Sequence, residues 1–341
     1  MEKKQKIMVA MSGGVDSSVT ALLLRRAGYE VEGVTLLLRS EEALPDLVVR
    51  RVCESLGIVL HQLPARKEFI ERVIAPAARE YDSGRTPNPC CECNEVLKFS
   101  LLLDFARAHG AVALATGHYA RIDPTGLRRG ADPAKDQSYF LYRLRREDFG
   151  SIRFPLGKMC KAEVRKLAEE AHLPVAKRPD SQDLCFAVPG EPCGDTLLRC
   201  AGMPPRPGKV VFRGRVVGAH PGIHRCTLGQ RGGLNVALGI PAYVKRIDAE
   251  TAAVELCTDR EELASQVFCL ARTNWQQTPP ADGEELEVQI RYRSRPVKCR
   301  VFREERFWKV EAAEKLYAVT PGQAGVLYRG DLLVGGGVIN S

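Results

Sequence analysis

Two stretches of this 341-residue chain hold residues whose types and spacing can do chemistry. The first is Ser12-Gly13-Gly14-Val15-Asp16-Ser17-Ser18. It follows an apolar run, Ile7 to Met11, that reads as a buried strand, and it opens a segment with apolar residues at helical spacing, Val19, Leu22, Leu23 and Leu24. A strand that turns through glycines into a helix presents unpaired backbone N–H groups and the positive end of the helix dipole. Phosphate is the natural occupant of such a place. The glycines let the backbone approach an anion closely, and Ser12, Ser17 and Ser18 add hydroxyls. Asp16 is odd in an anion cradle without a cation, which suggests Mg²⁺ bridging to phosphate. Neither GxxxxGK[ST] nor GxGxxG occurs, so this is not a Walker loop or a dinucleotide fingerprint.

The second stretch is Gly84-Arg85-Thr86-Pro87-Asn88-Pro89-Cys90-Cys91-Glu92-Cys93-Asn94. Its prolines remove donors and stiffen the chain, so it reads as a shaped loop. Cys93 is expected just before a helix capped by Asn94, where the helix dipole favours thiolate. Farther on, Asp180-Ser181-Gln182-Asp183-Leu184-Cys185-Phe186 sets another thiol in a polar loop. Two such loops beside a nucleotide-type turn suggest sulfur chemistry: either thiol can carry sulfane sulfur, or the pair can form a disulfide to release a product. A structural zinc on Cys90 and Cys93 lacks the second close pair it normally needs. A third arrangement puts Cys90, Cys93 and Cys185 at three corners of a [4Fe–4S] cluster, with one iron left to bind sulfur. Cys53, Cys160, Cys226, Cys257, Cys269 and Cys299 lie in apolar or strand contexts and read as core filler.

The elements that must position these groups change character along the chain. Up to about residue 200, strand and helix patterns alternate. Strands are expected at Val31–Leu38, Ile58–Leu63 and Ala111–Thr116, and helices from about Asp46 to Leu56, Lys67 to Tyr81 and Glu95 to His109. This rhythm argues α/β architecture with a doubly wound parallel sheet whose ligands gather beyond the C-terminal strand ends. Ser12–Ser17, the end of Val31–Leu38, and Thr116-Gly117-His118 all fall at such ends and are expected to form one pocket. After Pro204-Pro205-Arg206-Pro207-Gly208, helical patterns give way to short strands, among them Lys209–Val217, Ala242–Ile247, Ala253–Cys257, Leu286–Tyr292, Lys298–Phe302 and Lys309–Ala312. The expected division is 1–203 for nucleotide binding and catalysis, 204–265 as a small β domain, and 266–341 as a β-barrel.

Composition bounds the partners. At 45% hydrophobic and 27% charged residues the chain is ordinary globular protein, and its longest apolar runs fall short of a membrane span. The start, MEKKQKIMVAMSGG, has no signal-peptide core, so a cytoplasmic location is expected, with no membrane partner. The 12 cysteines are then thiols or ligands rather than staples. A net charge of +8 suits a polyanion such as nucleic acid. Arg291 to Lys309 interleaves basic residues with Tyr292, Phe302, Phe307 and Trp308, and Arg291, Arg293 and Arg295 would share one strand face.

SGGVDS resembles the pyrophosphate loop of ATP pyrophosphatases that cleave between the α and β phosphates. Together with GRTPNPCCECN, LKF, ATGHYAR, KDQSYFLY, DSQDLCF, HPGIHRCTLGQRGGL, AVTPGQAGVLY and GGGVI, it makes the chain similar to the bacterial tRNA-specific 2-thiouridylases, the MnmA family, over residues 7 to 338. The resemblance implies an ATP pyrophosphatase-type fold and thiolation of a wobble uridine in the tRNA anticodon loop. Position by position, it implies that Ala10, Met11, Ser12, Gly13, Gly14, Val15, Asp16 and Ser17 hold the ATP phosphates, with Leu36 and Gly117 lining the nucleotide site. Cys93 matches the nucleophile and Cys185 the persulfide carrier. Asn88, Pro89 and Cys90 would meet the target base, and Lys135, Asp136, Gln137, Arg291 and Tyr292 would contact tRNA. A cysteine desulfurase or relay protein would supply the sulfur. The chain departs from the family in a shorter segment between Leu38 and Asp46, and in Cys90, where some members have aspartate, a change that favours the cluster arrangement.

The chemistry so implied is adenylation of the uracil C2 oxygen, which makes it expellable, followed by sulfur attack at C2. The base must leave the anticodon stack to be reached. His118 is a tempting acid–base group, but a histidine after a strand more often bonds locally. Two other readings compete. An adenylating ligase or amidotransferase on a small molecule would explain the phosphate turn but not the cysteine loops. A non-catalytic RNA-binding iron–sulfur protein would explain the cysteines and the basic stretch but leave the phosphate turn idle.

Overall fold

The computed structural model describes residues 4–38, 47–179, 184–188 and 190–340. The shortened segment, 39–46, and the Asp180–Asp183 part of the second cysteine loop lie outside the described residues. The chain divides into two compact units, one of Met1–Phe69, Cys91–Asp183 and Asp331–Leu333, the other of Ile70–Cys90, Leu184–Gly330 and Val334–Ser341.

In the first unit the strands are β1 (Lys6–Ala10), β2 (Glu30–Leu37), β3 (Val59–Pro64), β4 (Ala113–Ala115), the hairpin β5 (Ala120–Asp123) and β6 (Gly126–Arg129), and β7 (Ile152–Arg153). Five of them form a parallel sheet in the order β3-β2-β1-β4-β7, which is doubly wound with its switch point between β1 and β4. Ile7, Met8 and Val9 are buried together because a central parallel strand is covered on both faces, which is why β1 reads as a continuous apolar run. Helix α1 (Val15–Arg26) buries Val15, Val19, Leu22 and Leu24 and reaches solvent at Arg25 and Arg26, where positive charge suits the helix C-terminus.

The remaining helices are α2 (Leu47–Leu56), α3 (Arg66–Phe69), α4 (Ala75–Asp82), α5 (Pro89–Cys93), α6 (Leu102–Ala108), α7 (Lys161–Glu170) and α8 (Cys193–Ala201). The helix expected from Lys67 to Tyr81 is interrupted by a π-helical turn, Ile70–Ile74, because Pro76 has no N–H to bond back to the preceding turn. The helix expected from Glu95 begins earlier, at Pro89, a residue suited to the first helical position. It passes through a π-helical stretch, Asn94–Leu101, with a kink at Phe99. The β5–β6 hairpin was not anticipated. Its turn closes on Asp123, whose Oδ1 accepts from the Thr125 and Gly126 amides.

In the second unit, β8 (Gly208–Phe212), β9 (Arg215–His220), β10 (Tyr243–Asp248) and β11 (Ala253–Cys257) form a sheet in the order β10-β11-β8-β9. The single strand expected over Lys209–Val217 is a hairpin, turned by Arg213 (φ 49°) and Gly214 (φ 76°), the paired left-handed conformation of a tight hairpin turn. Strands β12 (Ala264–Trp275), β13 (Glu284–Gln289), β14 (Val297–Arg303), β15 (Trp308–Tyr317), β16 (Ala324–Arg329) and β17 (Leu332–Ile339) run in the order β12-β15-β14-β13-β16-β17, and β12 pairs with β17 to close a barrel. Phe268, Leu270, Val288, Val301, Val310 and Leu327 fill it. Among the described residues no helix is long and apolar enough to cross a membrane.

Candidate active site

In the first unit, the chain leaves β1 at Ala10 and Met11, whose amide still pairs with Val34 O at 2.8 Å, and then turns at Gly13 (φ 75°) into α1. Gly14 is the N-cap and supplies no side-chain cap. The serine hydroxyls also hold the turn itself together. Ser17 Oγ accepts the Ser12 amide at 3.2 Å and lies 3.2 Å from Ser12 Oγ, and the Ser17 and Ser18 hydroxyls both donate to Gly14 O. Ser17 and Ser18 are buried. These hydroxyls brace the turn, leaving the first-turn backbone amides of α1 as the donors for an anion.

The C-terminal ends of β1, β2 and β4 lie side by side in the sheet. Leu36 stands half-buried near the end of β2. Gly117, just past β4, comes so close that a Cβ there would lie 2.9 Å from the Asp16 carbonyl carbon and from the Ser17 amide nitrogen. Only glycine permits this approach.

Asp16 is held by two groups that the sequence reading missed. Its Oδ1 accepts from Tyr119 Oη and from Lys161 Nζ, each at 2.7 Å. Lys161 stands at the start of α7, where the helix dipole opposes a cation, and its side chain is only 12% exposed. A lysine in a first helical turn was the available signal for a carboxylate partner nearby. Arg178 donates to Gly13 O at 3.0 Å and brings a further cation to the turn. His118 lies beside them with Nδ1 2.7 Å from Thr116 Oγ1. Burial, with help from Lys98, pushes it well below the usual histidine range, so its ring is neutral at physiological pH.

The segment carrying Lys135, Asp136 and Gln137 belongs to the same unit. Asp136 is 9% exposed and turned inward, accepting from the Gly130 and Ser138 amides, Ser138 Oγ and Arg129 Nη1. Gln137 clasps Tyr119, its amide donating to Tyr119 O and its Oε1 accepting the Tyr119 amide.

Cys93 is also in the first unit, 8% exposed, as the last residue of α5 rather than ahead of a helix. The dipole argument made for it from sequence therefore does not apply, because Pro89 starts the helix a turn early. Asn94 caps nothing and instead donates to Phe140 O at 3.1 Å. Arg143 pairs with both Glu92 and Glu95, pinning the helix on either side of Cys93.

In the second unit, the loop before α5 carries Asn88, with Pro89 and Cys90 opening the helix that follows, and it is fastened by residues far away in sequence. The Thr86 amide donates to Pro321 O, Gln323 Nε2 donates to the carbonyls of Thr86 and Pro87, and Thr86 Oγ1 bonds Thr227 Oγ1. Gly322 (φ 94°) passes so close that a Cβ would meet the Thr86 backbone at 2.9 Å. Three of the sequence strings thus meet at one loop. Cys185 lies in an exposed turn of the same unit. Cys160, read as core, is exposed at the start of α7.

Arg291, Arg293 and Arg295 do not share a strand face. The strand stops at Gln289, whose side-chain amide donates to Arg291 O and Tyr292 O and so bends the chain into a turn closed by Ser294. Arg291 donates into the carbonyls of Tyr317 and Ala318. Much of the basic stretch faces nearby acids: Arg295 pairs with Glu314, Arg300 with Glu285 on the adjacent strand, and Lys309 with Glu311 on its own strand. Among the described residues, no group of three His, Cys, Asp or Glu side chains is placed to hold a metal ion.

Family models match most of the chain: a tRNA methyl transferase HUP domain over residues 5–189, a tRNA methyl transferase PRC-barrel domain over 200–258, and an aminomethyltransferase beta-barrel domain over 265–339. The chain is 44% identical to tRNA-specific 2-thiouridylase MnmA 1 of Syntrophus aciditrophicus, across 98% of this chain and 93% of that one. It is 42% identical to tRNA-specific 2-thiouridylase MnmA of Thermus thermophilus, across 98% and 95%. Among solved structures it matches an NH3-dependent NAD synthetase from Campylobacter jejuni at 18% identity and a TM-score of 0.33, covering 51% of this chain and 66% of that one.

Proposed function

This chain belongs to the family of tRNA-specific 2-thiouridylases, and from that premise we propose that it is a sulfurtransferase that replaces the C2 oxygen of the wobble uridine, position 34 of tRNA, with sulfur, using ATP. The observation that most supports the ATP half of this reading is the phosphate turn. Its hydroxyls are tied back, its amides are left for an anion, Gly117 closes over it, and Lys161 and Arg178 supply positive charge.

The chemistry follows from a poor leaving group. The uracil C2 oxygen attacks the α-phosphorus of ATP, forming an O–P bond and expelling pyrophosphate, which the α1 terminus receives. The terminal sulfur of a persulfide on Cys185 then bonds to C2, and AMP departs carrying the original oxygen. Cys93 attacks the sulfur of Cys185, the S–S bond breaks, and thiouridine is released. The Cys93–Cys185 disulfide left behind is reduced by a cellular thiol before the next turnover. Asn88, Pro89 and Cys90 meet the flipped base, and Lys135, Asp136, Gln137, Arg291 and Tyr292 meet the tRNA. A cysteine desulfurase or relay protein in the cytoplasm charges Cys185. Segments 1–203, 204–265 and 266–341 divide the work as catalysis, connection and RNA contact.

Asp16 would serve as a carboxylate ligand to Mg²⁺ brought with the phosphates of ATP. The ion neutralises phosphate charge when bound. Because Asp16 Oδ1 is already bonded to Lys161 and Tyr119, no step is assigned to the ion. Among the described residues no group of three His, Cys, Asp or Glu side chains is placed to hold a metal ion, and no step is routed through a [4Fe–4S] cluster.

The test is formation of 2-thiouridine on undermodified tRNA by purified protein with ATP, Mg²⁺ and a persulfide donor, read by nucleoside mass spectrometry. Cys93→Ala and Cys185→Ala should each abolish the product, and full activity in either variant defeats the roles given to these thiols.

A further inference from the structure

The contacts around Asp16 form a closed ring. From Asp16 Oδ1 one arm runs through Tyr119 Oη at 2.7 Å. Tyr119, itself 2% exposed, is clasped at both backbone groups by Gln137, through N–H···O bonds of 2.9 and 3.1 Å. The other arm runs through Lys161, whose Nζ donates to the same Asp16 oxygen at 2.7 Å and whose amide donates to Asp132 Oδ2 at 3.0 Å. Asp132 and Gln137 belong to one segment, 130–138, which the inward-facing Asp136 carboxylate ties into a single piece. Both arms therefore start from one segment and end on one oxygen of the phosphate turn. A displacement of the segment would be felt at Asp16 through two short, largely buried paths, each ending in a charge-assisted hydrogen bond.

We propose that Tyr119 is a positioning residue that couples segment 130–138 to Asp16, so that tRNA seated on the segment sets the geometry of the phosphate site. The inference rests on the proposed function, which puts Lys135, Asp136 and Gln137 against tRNA, and it adds what that reading lacks: a route by which RNA occupancy reaches the nucleotide. Coupling of this kind is reciprocal, so nucleotide also tightens or loosens tRNA by the same factor.

The experiment uses the full chain and an ATP analogue with a methylene bridge between the α and β phosphates. Its affinity is measured by calorimetry with and without unmodified tRNA. In the wild type, tRNA should change analogue affinity by about fivefold or more. Tyr119→Phe keeps the ring and removes only the hydroxyl. It should reduce that factor to less than about twofold while leaving tRNA affinity in the absence of nucleotide unchanged. Gln137→Leu, which cannot accept the Tyr119 amide, should lose the coupling as well, and Gln137→Glu, which can, should retain it. The rescue separates positioning from a general packing defect, and Gln137→Leu carries the test if Tyr119→Phe does not fold. A wild type that binds both ligands without coupling overturns the proposal, as does undiminished coupling in both Tyr119→Phe and Gln137→Leu. A wild type that binds neither ligand overturns the proposed function itself, and this inference with it.

Discussion

Asp16 has two partners on one oxygen, and Gly117 has no room for a methyl group, so single atoms decide whether the phosphate turn works. Gly117→Ala forces a Cβ to within 2.9 Å of the Asp16–Ser17 backbone. Overpacking of that kind costs about 1–3 kcal/mol. The loss should appear mainly as weaker ATP binding, about tenfold or more, with a smaller change in melting temperature, as read by calorimetry and thermal denaturation. The thiols divide by burial. Burial pushes Cys53 and Cys226 up to about 11 and Cys299 up to about 12, so all three are protonated and shielded at neutral pH. Iodoacetamide at pH 8 should label exposed Cys160, Cys185 and Cys200 first and spare these three until the protein unfolds, as mapped by peptide mass spectrometry. The motif Ser12–Ser17 and the reach of Gly117 toward it were legible in the sequence because glycines mark close backbone approach. The bracing role of Ser17 and Ser18 was not, since a hydroxyl's partner is fixed only when the turn has closed.

The loop from Gly84 to Cys90 shows how elements position chemistry in the second unit. It has little secondary structure of its own; Pro321, Gln323 and Thr227 supply hydrogen bonds to Thr86 and Pro87, and Gly322 passes close beside Thr86. Gly322→Ala adds both a left-handed backbone penalty and a clash with Thr86, together about 2–4 kcal/mol. Thiolation should then fall with ATP affinity unchanged, because the damage is confined to the loop we propose to meet the base. On the sheet of the first unit, burial alone would raise Glu32, but hydrogen bonds from Lys6 and His61 outweigh it and hold the carboxyl below 4.5. A depressed carboxylate stabilises the fold above its unfolded value and loses that contribution as pH falls through the folded value. Denaturant titrations should therefore show Glu32→Gln less stable than wild type at pH 7, with the gap closing as pH falls through the folded-state value of the carboxyl. The parallel sheet was readable because β1, β2 and β4 are apolar runs with turns at their ends. Hairpins were harder: Arg213-Gly214 interrupts what looks like one strand, and a two-residue turn leaves almost no polar gap to notice. Cys93 was misplaced relative to its helix because Pro89 was read only as a loop residue and not as a helix start.

For the whole molecule, a net charge of +8 overstates the basic surface offered by the barrel, where Glu285, Glu311 and Glu314 offset part of the Arg291–Lys309 stretch. Exposed pairs of this kind add little stability but lower the local positive potential. Binding of tRNA should accordingly depend on salt, weakening about tenfold or more between 50 and 200 mM, but less steeply than the arginine count suggests. Filter binding across that range checks it, and a salt-independent affinity would remove electrostatics from the interface. The succession of α/β sheet and then β domains was visible as a change of pattern near residue 200. The closure of the barrel through β12 and β17 was not, because pairing between distant strands leaves no local mark. The central claim is that the uridine's own oxygen is made expellable by nucleotide attachment. Unmodified tRNA carrying ¹⁸O at C2 of the wobble uridine, thiolated by the purified protein with ATP, tests it directly. The account predicts that the label leaves in AMP, one atom for each 2-thiouridine formed. Label found in water or pyrophosphate, or thiolation without AMP, would contradict it.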